Sequence, residues 1–594
     1  MSRGWLGTGV YLAVAAAGAG ELPAQVAWGV ALLDVGESVD ALQEQLAVRD
    51  CLAIVGVPFE PTGEVAQAVR RPLVVIAGEL TNREFTAAER EALYAYVERG
   101  GVVLATQVEG NTWFPLFGLT GAVPSRTNFR VTFSPGRDPV LRYVNRPEER
   151  TISLGDPKLY AETIWSTEYA VGPGTQVLAR YETGAAALTV NAYGRGLAYA
   201  LGLGFKETSL IPQLARGFEA ARHWINWFEP SGDVFRLLLR ALYESSVHPF
   251  VLLHTVPEGK ETGLCLSHDV DARESFPNSL PFARMEAALG VHSTFFVTTK
   301  YFSDSTDIGY YTPERVAWMR RVRALGAEVG SHSASHSPAF ESFPIGSPGV
   351  GVDTYDPTHP TVYGEARVSK QLLDRDLRQQ TVGFRSGYLR YPSALLEVLE
   401  AAGYWFDSSV SAQWVLTNFP FFGFRRRSLG SPHSTVVEVP ITLDDSRGEL
   451  EARNFLTAET KDSALHTWLE VVRANAENNA ISCLLIHPTD TTYKLETERR
   501  LIEAVQHQDA WIGTVGELAR FWRARALLRP ELERRVDGAP VIVLRGLARA
   551  SIPRGQALLV EGGRADAPRV LDATGTEIPV RARAAGDRVV LRLP

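Results

Sequence analysis

The chain has 594 residues, 45% hydrophobic and 22% charged, which is ample apolar material for three or four folded units at roughly 150 residues each. Sixty basic against 68 acidic side chains leave a formal charge of −8, and no basic block or basic–aromatic stripe occurs, so a nucleic-acid binder is excluded. Cys51, Cys265 and Cys483 are too few and too scattered for a disulfide framework or a cysteine-based zinc site.

Arg3 precedes a mostly apolar run from Trp5 to Ala19 that ends in small residues. Residues 1–25 resemble a secretory signal; the competing reading is a helix or strand of the first domain. The first reading implies an extracytoplasmic protein, the second a cytoplasmic one. The run is too short and too rich in Gly and Ala to span a membrane, and no later stretch qualifies.

Residues 26–235 read as an open-sheet α/β domain. Strands are expected at 26–33, 52–57, 73–78 and 102–106, with a helix at 40–48. Thr86-Ala87-Ala88-Glu89 is a capping box that starts a helix running to Arg99 and stopping at Gly100-Gly101. Segments 185–191 and 196–203 form a hairpin about Gly194-Arg195-Gly196. This pattern resembles the class I glutamine-amidotransferase-like fold. That family places a cysteine in the turn after such a strand, whereas here the turn reads Gln107-Val108-Glu109-Gly110. The domain is therefore expected to be a non-catalytic platform or a glycan-contacting unit.

From 236 to 530, strand and helix signals alternate. Strands are expected at 264–267, 293–297, 327–330, 382–384, 405–407, 436–439 and 482–486, and helices at 313–324, 366–378, 393–402 and 462–475. Thr312 is an N-cap with Pro313 in the first turn. Seven βα units in series predict a parallel barrel or open sheet whose chemistry sits at the carboxyl ends of its strands. Residues 536–594, with short β segments separated by glycine turns, predict a small β-sandwich-like domain.

Four strand ends carry polar residues where hydrophobes would be ordinary. The apolar run Leu264-Cys265-Leu266-Ser267 ends in His268-Asp269-Val270-Asp271, and strand alternation puts Asp269 and Asp271 on one face. The 327–330 strand ends in His332-Ser333-Ala334-Ser335-His336, and two imidazoles four apart share a face if the segment turns helically. Phe384-Arg385-Ser386-Gly387-Tyr388 and Ile486-His487-Pro488 end two more strands. Two imidazoles and one carboxylate with open positions suit a catalytic divalent metal. The second carboxylate needs a cation to stay ionised, which Arg385 can supply.

These motifs resemble those of the polysaccharide deacetylase family, also called carbohydrate esterase family 4 or the NodB homology domain. The resemblance implies a distorted (β/α)7 barrel in which Asp269 is the catalytic base, His487 the general acid and Arg385 the partner of the base. It implies Asp271, His332 and His336 as ligands of one divalent metal, zinc first with cobalt, nickel or manganese as alternatives. Gly387 and Tyr388 would contact substrate. Leu443-Asp444-Asp445 is the candidate for the family's fourth motif, as a wall or supporting carboxylate. Trp414, Phe419, Phe421, Phe422 and Phe424 are either a sugar-groove wall or a loop packed on the barrel.

The function implied is metal-dependent removal of N-acetyl groups from a polysaccharide such as peptidoglycan, a chitin-like chain or an exopolysaccharide. The alternatives are a metal-independent C–N hydrolase of a small amide and a non-catalytic glycan-binding scaffold.

Overall fold

The computed structural model describes residues 28–134, 136, 138–214, 225–304, 307–348, 354–445, 456–534, 540–562 and 568–594. The signal-like run lies outside them. No helix among the described residues is long and apolar enough to cross a membrane.

The first sheet has a parallel half in the order Phe59–Thr62, Val30–Asp34, Leu73–Ala77, Val102–Thr106, Gly196–Leu201. An antiparallel extension continues through Ala186–Tyr193, Gln176–Tyr181, Arg130–Phe133 and Thr151–Ser153. The Thr86–Glu89 capping box forms as its spacing predicts. The strand expected at 52–57 is instead the end of the helix Val39–Val55. Ala47, Val48, Cys51, Leu52 and Val55 are buried at helical spacing, so the short apolar run is one stripe of a longer helix. The strand that follows is Phe59–Thr62. Gly56 ends the helix with φ +79°, and a Cβ there would lie 2.0 Å from the Leu253 carbonyl oxygen, so both conformation and space demand glycine. Arg525, far downstream, donates to the carbonyls of Ala53 and Ile54 and so caps this helix from the second unit.

The second sheet positions the site. Its main path of parallel strands is β1 (Thr262–Val270), β2 (Thr294–Val297), β3 (Glu328–Ser331), β4 (Gly383–Phe384), β5 (Phe406–Asp407), β6 (His433–Glu438), β7 (Leu443–Asp444) and β8 (Ile481–Ile486), in the order β6-β5-β4-β3-β2-β1-β8-β7, and Ala510–Gly513 pairs in parallel with the start of β1. β6 and β7 lie at opposite ends of that order yet are nearly continuous in sequence. Val439 N donates to Asp407 O on one side, and Thr442 N donates to Cys483 O on the other. The sheet therefore curls until one stretch of chain serves both ends. Every residue of β1 is buried, and each leucine fully removed from water contributes about 1.5–3 kcal/mol.

The expected boundary at 235/236 falls inside the helix Ser231–Ser246, which is buried along most of its length. The C-terminal β segments form two four-stranded sheets. They are not confined to 536–594: Arg529–Arg534 pairs with Pro540–Arg545, and Val251–Leu253 pairs with Ala557–Glu561. Without these two strands, backbone edges and the apolar side chains of Ile542, Leu544, Leu558 and Leu591 would be left open.

Candidate active site

The carboxyl ends of β1, β3, β4 and β8 deliver all four polar stretches to one place. Alternation along β1 sends Asp269 and Asp271 into the curl of the sheet and His268 out against the helices. Asp271, His332 and His336 each offer a ligand atom, all within 4.8 Å of one another. His332 Nδ1–H donates to the Arg385 carbonyl at 2.9 Å, so Nε2 is the ring nitrogen left to bind a metal. His336 Nε2 lies 3.6 Å from Asp271 Oδ2. Burial pushes the Asp271 carboxyl up, against the nearby charges of His487 and His332, so its ionised form lacks full compensation from the protein. Burial likewise pushes His336 down to about 3, keeping its imidazole neutral. The neutral His336 imidazole, the His332 ring nitrogen beside it and an undercompensated carboxylate suit a divalent cation.

The histidines meet without a helical turn between them. Ser333 and His336 both adopt left-handed φ, +63° and +54°, and fold the loop back. Glu365, in the helix Val362–Leu377, holds this loop: its buried carboxylate accepts from Ala334 N and Ser335 N at 2.8 Å each, and from the hydroxyls of Ser335 and Tyr355. Glu365 lies one residue before the helix expected from the sequence at 366–378, and no motif marks it.

Asp269 lies beside the ligand set. Its Oδ1 accepts from Arg385 Nη1 at 2.8 Å, and its Oδ2 lies 3.6 Å from His332 Nε2. Burial alone would push the Asp269 carboxyl up, but Arg385, His332 and His487 outweigh it and hold it below the usual range. Arg385 is itself fully buried. It donates to Ser267 Oγ and to Ser408 O and Oγ, and its guanidinium lies over the Phe296 ring.

On the other side, His487 Nε2 is 3.7 Å from Asp271 Oδ2. Asp445 Oδ1 accepts from His487 Nδ1 at 2.7 Å and Oδ2 from His487 N at 2.9 Å, while Lys494 Nζ sits 2.7 Å from Oδ2. Burial disfavours charge on the imidazole, but Asp445, then Asp271 and Asp269, raise His487 to about 10. Burial of Asp445 is in turn outweighed by His487 and Lys494, which hold it well below the usual carboxylate range. The sequence offers Leu443-Asp444-Asp445 for a wall or supporting carboxylate without choosing between the two aspartates, and it gives no sign of Lys494.

Gly387 packs against His336, and a Cβ at this position would lie 2.6 Å from the ring Cδ2. Tyr388, with φ +53°, is 59% exposed and covers His336 at a ring separation of 4.5 Å. Phe419, Phe421 and Phe424 are buried in the core, so that stretch is chiefly packing. His268, facing away, is buried between Glu286 (2.7 Å) and Glu498 (3.4 Å) and stacked on Phe295. In the first domain Cys51 is buried, with its thiol pushed up to about 12 by burial, and Gln107 occupies the turn after Val102–Thr106 with φ +47°.

The polysaccharide deacetylase family model matches residues 265–406, which contain Asp269, Asp271, His332, His336, Glu365, Arg385, Gly387 and Tyr388 but not Ser408, Asp445, His487 or Lys494. No curated protein gives a significant match to the chain. Among solved structures, the chain is similar to a Mycobacterium smegmatis protein described as a polysaccharide deacetylase (16% identity over 46% of this chain and 94% of that one, TM-score 0.35). It is also similar to the peptidoglycan deacetylase PdaC of Bacillus subtilis (15%, 45% and 93%, TM-score 0.26). A third is a CE4 family pseudoenzyme of Bacillus anthracis (15%, 43% and 65%, TM-score 0.27).

Proposed function

We propose that the protein is a metal-dependent hydrolase that removes N-acetyl groups from a polysaccharide, acting through a distorted seven-stranded NodB-type barrel. The observation that carries this reading is the order of groups across the site: Asp269 with Arg385, then Asp271, His332 and His336, then His487 with Asp445.

Asp271, His332 and His336 would hold one divalent ion, zinc or else cobalt, nickel or manganese. Bound there, it would acidify water and polarise the acetyl carbonyl. Asp269, kept ionised by Arg385, accepts the proton of the attacking water. His487, kept protonated by Asp445, gives its Nε2 proton to the departing amine, which is a poor leaving group until protonated. Each such acid or base is typically worth about 10²–10⁴ in rate. The backbone N–H of Gly387 or Tyr388 is the protein's own donor for the developing oxyanion. The exposed Tyr388 ring offers a face to a sugar. The first domain, with glutamine in the amidotransferase-like turn and its cysteine buried, is read as a platform without glutaminase activity. An acetylated glycan outside the cytoplasm is the expected substrate, with residues 1–25 as the export signal.

The test is acetate release from acetylated peptidoglycan, chitin oligomers and acetylated exopolysaccharide, before and after chelation and metal return. Release that chelation abolishes and metal restores is expected. Chelation-resistant hydrolysis of a small amide, or glycan binding with no release, would overturn the reading.

A further inference from the structure

The carboxylate that supports His487 is itself held from outside the curled sheet. β7, which leads into Asp445, pairs with β8 on one edge only: Leu443 and Asp444 stand opposite Leu484 and Leu485. β7 is the last strand in the order, and among the described residues no strand pairs with its other edge, toward which the peptide N–H and C=O of Asp444 are turned. Asn226 fills that place. Its Nδ2 donates to Asp444 O at 2.8 Å, and its Oδ1 accepts from Asp444 N at 2.8 Å. The same Oδ1 accepts from Trp468 Nε1 at 2.8 Å, and Asn226 N donates to Thr442 O. The side chain of Asn226 thus mimics one residue of an extra strand. Its φ of +61° is a conformation that asparagine tolerates better than most residues.

The segment bearing Asn226 is fixed on both sides. Ile225 is buried with Leu389, Ile441 and Leu485. Downstream, Gln413 Nε2 donates to Trp227 O, and Asn418 Nδ2 to Glu229 O, both at 2.6 Å. Asn226 is upstream of every expected barrel element and outside the matched family segment.

We propose that Asn226 is a positioning residue for His487, acting through the Asp444 backbone and the Asp445 carboxylate, so that chain upstream of the curled sheet completes the proton-donating half of the site. This rests on the deacetylase reading given above. Asn226 touches neither the metal-ligand set nor Asp269, so its effect falls on leaving-group protonation. A substrate whose leaving group departs without a proton is insensitive to it.

The experiment uses the full-length protein and the variant Asn226→Gly, which keeps the left-handed backbone and deletes the amide. Turnover is measured on a chitin oligomer and on 4-nitrophenyl acetate, alongside metal content. The expected result is a loss of about 10²-fold in kcat on the oligomer, the order that a displaced catalytic group costs. KM, metal content and ester hydrolysis should stay within about threefold. Equal losses on both substrates, or no loss on the oligomer, would overturn the proposal. If Asn226→Gly does not fold, Asn226→Asp carries the same expectation, since it keeps the acceptor for Asp444 N–H but sets a carboxylate oxygen against Asp444 O. The downfield proton resonance of His487 Nδ1–H, assigned by its loss in His487→Gln, should shift or broaden in either variant. Its persistence unchanged would refute the positioning role even in a protein that releases no acetate, an outcome that separately defeats the deacetylase reading.

Discussion

Asp445 grips His487 twice, accepting from the ring Nδ1–H at 2.7 Å and from the backbone N–H of the same residue at 2.9 Å. The pair fixes both the orientation and the charge of the imidazole. Asp445→Asn leaves the shape and removes the charge. It should lower kcat for acetate release by about 10² or more. Asp445 raises the pKa of His487, so its loss lowers that pKa and moves the alkaline limb of the pH–rate profile to lower pH. A profile that keeps its alkaline limb would count against His487 as the acid.

The polar strand ends were legible because each interrupts an apolar run with a residue that burial alone would not choose. Alternation then fixed the inward pair, Asp269 and Asp271, and sent His268 outward. The supports were not legible. Glu365 opens an ordinary amphipathic helix, where an acidic residue in the first turn needs no special reason. Lys494 sits in a charged helix start, and Asn226 acts through two peptide groups of a strand more than two hundred residues away, a relation with no sequence period. The 52–57 run failed for a different reason: a short buried apolar segment reads alike as a strand or as a helix stripe until its neighbours are known.

Arg385 is wholly buried and makes its closest ionic contact with Asp269. Arg385→Met takes from that buried carboxylate its directly hydrogen-bonded counter-ion, so it should destabilise the fold by about 3 kcal/mol, read from denaturant unfolding. Asp269 should also ionise at higher pH, shifting the acid limb of the pH–rate profile upward. Wild-type stability in this variant would show that the pair contributes little.

The histidine loop depends on residues that bind nothing themselves. In Gly387→Ala the new Cβ displaces His336, and in Glu365→Gln two backbone amides and two hydroxyls lose a charged acceptor. Each change should weaken metal binding about 10–100-fold, measured by competition with a chromogenic chelator. Unchanged affinity in both would mean that the loop keeps its form without them.

Burial disfavours charge on His268, yet Glu498 and Glu286 raise it to about 10, above its unfolded value of 6.5. The stability contributed by His268 is therefore complete below about pH 6.5 and lost as pH rises through about 10, while Glu498, which burial pushes up to about 7, already begins to lose its contribution as pH rises above about 4.5. The melting temperature should fall across that window, and His268→Phe should flatten the fall. Parallel slopes for the two proteins would show that the cluster is not the source.

Asp269→Asn separates proton acceptance from metal holding, because Asp269 stands beside the ligand set of Asp271, His332 and His336. The decisive measurement is acetate release per bound metal ion in this variant against wild type. The account predicts equal metal content with release reduced by at least about 10²-fold. Full release at equal metal content would contradict it.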